Sequence, residues 1–76
     1  MVQFFNMDDY SMKVGELYRL NGLTYKNLPP QGSLWLYLGI SPIHRDDGVT
    51  IINHLFLVEG QERLTDVTFL KFLYPT

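Results

Sequence analysis

His44, Asp46 and Asp47 share one short stretch of this chain, and His54 follows on the next apolar run. Two imidazoles with carboxylates are its one grouping able to bind a divalent ion or relay protons near neutral pH. The local pattern speaks against that use. Arg45 stands among the carboxylates and offsets the negative charge a cation would need, and Asp46-Asp47-Gly48 is ordinary turn chemistry. The expectation is a solvated hairpin loop, with no metal and no cofactor. There is no cysteine, which removes thiolate zinc sites, disulfides and thiol catalysis together. Glycine-rich phosphate loops, nucleophile–base motifs and paired-carboxylate constellations are also missing, so the chain is expected not to be an enzyme.

The elements that position these residues read as short strands. Asn21-Gly22, Pro29-Pro30, Gly32, Pro42, Asp47-Gly48, Gly60 and Pro75 punctuate the chain too closely for helices of ordinary length. A first strand is predicted over residues 14–20. Asn21-Gly22 then suits a tight turn, with a short return strand over 23–26. Residues 28–32 read as a stiff loop, because prolines cannot donate to a ladder.

The next strand, residues 33–40, alternates cleanly. Leu34, Leu36 and Leu38 fall on one face, assigned to the core, and Trp35 and Tyr37 on the other, expected to be half-covered. Gly39 marks a bulge or bend. A loop over 41–48 leads to the longest apolar run, 49–58, in which Asn53 and His54 are polar interruptions expected to be hydrogen-bonded near a sheet edge. Glu59-Gly60-Gln61 turns tightly into 62–65. Thr65 or Asp66 can cap one helical turn through Val67, Thr68 and Phe69, before a closing strand near 72–74.

Aromatic residues are 14% of the chain and apolar residues 46%. Each buried ring removes roughly 150–250 Å² from water, so a dense core is within reach of so short a chain. A core of this size cannot take in every aromatic. Tyr and Trp, apolar with a polar tip, suit an interface. The predicted partner-binding surface is Tyr18, Tyr25, Pro29, Pro30, Trp35 and Tyr37, with Arg45 and Asp46 supplying charge at its rim. The apolar N-terminal residues Val2, Phe4, Phe5, Met7 and Tyr10 suggest an arm or extra strand over 1–12, able to pair with a second copy.

The formal net charge is −2, and the six Lys and Arg residues are scattered along the chain. Nucleic acid is therefore the less favoured partner, because binding it takes a clustered basic patch. The start has no basic region before its apolar residues and turns acidic early, unlike a signal peptide. No apolar run approaches the roughly 20 residues that span a bilayer, so a cytoplasmic, membrane-free protein is expected.

Three stretches together resemble the SH3-like small-barrel superfamily. Lys13-Val14-Gly15-Glu16-Leu17-Tyr18-Arg19-Leu20 is similar to the opening strand of such barrels, including many from bacteriophages. Leu34 to Ile40 resembles the second strand with its glycine bend, and residues 60–73 resemble the usual ending. The resemblance implies a mainly all-β single domain over 1–76. Its fold would be an SH3-like barrel of five to six strands, with a one-turn helix before the last. It also implies a phage-type accessory protein that binds and inhibits a host protein, or alternatively a nucleic-acid-binding barrel of the KOW or Tudor kind. The alanine-leucine-tyrosine-aspartate-tyrosine motif and paired tryptophan of proline-peptide SH3 domains are missing, so recognition of proline-rich peptides is not implied.

Overall fold

Residues 12–76 are described by a computed structural model. The expected N-terminal arm, and the dimer contact assigned to it, lie outside the described residues apart from Met12. Five strands form: β1 (Leu17–Leu20), β2 (Leu34–His44), β3 (Thr50–Val58), β4 (Gln61–Thr65) and β5 (Leu73–Pro75). A short 3-10 helix, Val67–Phe72, precedes β5. The strands make one antiparallel sheet of order β4-β3-β2-β1-β5. The expectation of a mainly β chain with a helical turn before the last strand is met. The barrel closure is not: among the described residues β4 and β5 are the outer strands of an open sheet.

Turn chemistry sets the reversals. At Glu59-Gly60 both residues have positive φ, 53° and 79°, the geometry of a two-residue turn whose twist matches its strands. At the β2–β3 tip, Gly48 N–H donates to Arg45 O, and Arg45 N–H donates to Val49 O. Gly48, with φ of 88°, closes this three-residue loop. Asn21-Gly22 makes no hairpin, and no return strand forms over 23–26. Instead Leu20 N–H donates to Ser33 O and Asn21 N–H to Phe72 O, so both sides of β1 are already taken by β2 and β5. Residues 21–33 therefore run as an irregular loop.

β2 is longer than the expected strand, because Pro42 does not end it. Arg45 and Val49 form a hydrogen-bonded pair, and such pairs alternate along an antiparallel ladder. Pro42, opposite Ile52, then falls at a position whose nitrogen points away from β3, where a missing N–H breaks no bond. The register shifts between Tyr37 and Gly39 as the glycine suggested, and Gly39 holds φ of 130°.

The face assignment in β2 is reversed. Trp35 is fully buried and Tyr37 nearly so, whereas Leu34 is 43% exposed. The core joins Tyr18, Leu20, Trp35, Tyr37, Phe56, Val58 and Leu73 of the sheet to Leu70 of the helix, with Phe69 and Phe72 packed against it. Trp35 meets Phe56 edge-on at 5.6 Å and Phe69 at 5.1 Å. The physical reason is volume. A single sheet roofed, among the described residues, by one short helix together with Met12 and Leu28 needs large side chains to fill the space between, and rings remove the most surface from water. The polar tips are satisfied: Tyr18 Oη accepts from Lys13 N–H at 3.0 Å, and Trp35 Nε1–H donates to Ser33 Oγ at 2.9 Å.

Candidate interaction surface

Alternation along the strands carries every second residue to the outer face, away from the aromatic core. The pairing registers place Leu17, Leu36, Leu57 and Glu62 in one row across β1, β2, β3 and β4. Leu55 pairs with Leu64 beside that row, and Leu34 pairs with Arg19 on its other side. Beyond the bulge, Ile43 pairs with Ile51 and extends the same face along the β2–β3 hairpin. Leu17, Leu34, Leu57, Leu64, Ile43 and Ile51 are all at least 36% exposed, reaching 50% at Leu64. Both faces of this sheet are thus apolar, and among the described residues only the inner one, over β1, β4, β5 and the adjoining parts of β2 and β3, is covered.

The charges of this surface stand at its margins. Arg19 lies on β1 and is held by a bond from its Nη1 to Gly32 O at 2.8 Å. Glu62 lies on β4, opposite Leu57. Between them the leucine row carries no charge, an arrangement that resembles a desolvated interface centre with a polar rim.

The sequence-predicted site residues do not come together. Tyr18, Trp35 and Tyr37 belong to the core, so their expected role as exposed anchors is corrected. Pro29 is also buried, while its neighbour Pro30 is exposed. Tyr25 is 70% exposed on the 21–33 loop, and Arg45 and Asp46 are exposed at the hairpin tip. The leucine face was missed as a surface because its alternation was legible while its direction was not.

The histidine–carboxylate group resolves into turn structure. Arg45 Nη2 pairs with Asp47 Oδ2 at 3.0 Å, Asp47 Oδ1 accepts from Val49 N–H, and His44 Nδ1 lies 3.1 Å from Thr50 Oγ1. His44, Arg45, Asp46 and Asp47 border an open concavity of about 470 Å³ at the hairpin tip. His54 stands four residues further along β3 than Thr50, roughly 13 Å at strand spacing, and bonds Tyr37 instead. Among the described residues no group of three His, Asp or Glu side chains is placed to hold a metal ion.

A second concavity, about 280 Å³, lies between Leu28, Arg63, Thr65, Asp66 and Phe69, with Trp35 at its floor. It falls just short of the roughly 300 Å³ at which small-molecule pockets begin. Arg63 crosses it, its guanidinium carbon 6.0 Å from the Trp35 ring centre and Nη2 donating to Asn27 O. Among the described residues no helix is long and apolar enough to cross a membrane. Comparison with family models, curated proteins and solved structures finds no match to this chain.

Proposed function

We propose that this chain is a non-enzymatic protein–protein interaction module that docks through the leucine-lined outer face of its sheet. One observation carries the reading. A sheet of this kind is stable with one face on the core and one face polar, and here the solvent face is leucine and isoleucine. The strand order, with a helical turn before the last strand, supports an SH3-like scaffold whose sheet is open rather than closed into a barrel. By the resemblance to phage accessory proteins, the occupant is a cytoplasmic host protein that the module inhibits.

A partner for this face presents an apolar, weakly charged surface of its own. Nucleic acid fits it poorly: Arg19 and Arg63 bond the chain's own carbonyl groups, Arg45 is paired with Asp47, and the Trp35 ring lies inside. The test is capture of partners by wild-type and Leu57→Lys protein, each shown to be folded by its melting curve. Leu57 lies at the centre of the row, so the lysine variant is expected to keep the fold and lose the partner. A folded Leu57→Lys protein that captures the same partner as strongly would overturn the proposal.

A further inference from the structure

The same face is suited to a second copy of this chain, an inference that rests on the reading above and names an occupant for its site. We infer that the protein, in the absence of another partner, is a two-fold dimer in which the two leucine faces pack against each other, and that partner binding competes with this dimer.

Area is the first support. The face offers eight apolar side chains, six of them between about one-third and one-half exposed. That is on the order of 500 Å², more than half of the roughly 800 Å² per partner of a standard specific interface. Sheet-on-sheet packing is also the ordinary way to cover such a face, with inner side chains interdigitating across about 10 Å. Leucines in neighbouring register positions provide those side chains.

Charge is the second support, and it is self-complementary. A two-fold axis between β2 and β3, parallel to the strands, lays β4 of one copy over β1 of the other. Glu62 lies in the row of Leu17, and Arg19 follows Leu17 by two residues on β1. Glu62 then faces the second copy's Leu17, with that copy's Arg19 about 7 Å further along, within reach of an arginine side chain. The symmetry makes this contact twice. The bond to Gly32 O uses one of five guanidinium N–H groups, so Arg19 keeps donors for the contact.

Sedimentation of the full chain from low to high micromolar concentration tests the inference. The expected result is a mass that doubles with concentration, and a dimer lost in Leu57→Lys. Arg19→Glu and Glu62→Arg should each weaken the dimer about tenfold, and the double variant should recover most of that loss. Among the described residues Glu62 makes no side-chain hydrogen bond or ion pair, so Glu62→Arg stays informative should Arg19→Glu impair folding. A wild-type chain that is monomeric throughout overturns the dimer. Charge variants whose effects merely add overturn it as well. If the chain is monomeric yet Leu57→Lys loses partner capture, only the dimer fails. If Leu57→Lys changes neither, the docking face itself is wrong.

Discussion

Tyr37 Oη lies 2.9 Å from His54 Nδ1, tying β2 to β3 on the inner side of the sheet beside the bulge at Gly39. Burial lowers the His54 pKa below its ordinary 6.5, which keeps the ring neutral. The phenol then donates and Nδ1 accepts. Burial, with the neighbouring Tyr18 hydroxyl adding to it, raises the Tyr37 pKa above 10.0 and keeps it a donor. A polar pair joining two apolar strands is thus satisfied internally.

This pair gives stability a pH dependence of known sign. Because His54 is harder to protonate in the folded chain, the unfolded chain binds the proton first as pH falls. The stability contribution is complete above about pH 6.5 and is lost as pH falls through the lower folded value. Urea midpoints of the wild type should decline across that window, and those of His54→Gln should decline less. Equal slopes in the two proteins would show that His54 is not the group responsible. Tyr37→Phe, which leaves Nδ1 unpaired, should cost about 1 kcal/mol at neutral pH.

Trp35→Ala should act on the fold before it acts on any partner. The side chain is fully buried against Phe56 and Phe69, and its removal opens a large void. Truncations of this kind cost roughly 3–5 kcal/mol, a large part of the total stability of so small a domain. Chemical denaturation should find the variant mostly unfolded, and a variant melting like the wild type would contradict the core assignment.

Trp35 also shows why half of the surface was unreadable from residue order. The alternation of Leu34, Leu36 and Leu38 with Trp35 and Tyr37 does specify a two-faced strand. Both sets are apolar, so the pattern cannot say which set turns inward. That choice depends on what stands opposite, a 3-10 helix bearing Phe69, Leu70 and Phe72, with Met12 and Leu28 beside it, against which the rings pack. The Gly39 bulge, the Asp47-Gly48 and Glu59-Gly60 turns and the Asp66 cap rest on local backbone preference, and all were legible. Asn21-Gly22 has the same local preference, overridden because β1 pairs with strands from distant parts of the chain.

Asp66 is the anchor of that roofing helix. Its carboxylate accepts from Phe69 N–H at 3.2 Å and from the Thr68 hydroxyl at 2.6 Å. The Thr68 hydrogen bond is the larger cause holding its pKa below 3.8. Asp66→Ala should cost about 1 kcal/mol, as loss of a capping side chain does. The depressed pKa makes the contribution of Asp66 present above about pH 3.8 and lost as pH falls through the folded value. Acid titration of wild type and Asp66→Asn should separate in that range, since asparagine can still cap without titrating. Coincident curves would assign the acid loss to another carboxylate.

The β3–β4 turn supplies a prediction in the stabilising direction. Glu59 holds φ of 53°, a region that costs a side chain other than glycine or asparagine about 1 kcal/mol. Glu59→Asn keeps the turn and relieves that cost, so it should raise the melting temperature by a few degrees. Gly60, at φ of 79°, has nothing within 4 Å of where a Cβ would stand. The cost of Gly60→Ala is therefore conformational alone, about 1 kcal/mol. Gly39→Ala should cost more, because φ of 130° lies further outside the range of L residues, although its Cβ would meet Val14 only at an ordinary 3.8 Å. Melting temperatures should therefore fall in the order Glu59→Asn, wild type, Gly60→Ala, Gly39→Ala. A Gly39→Ala protein as stable as the wild type would mean that the bulge, and with it the outward turn of Ile43 and Ile51, is not held by that glycine.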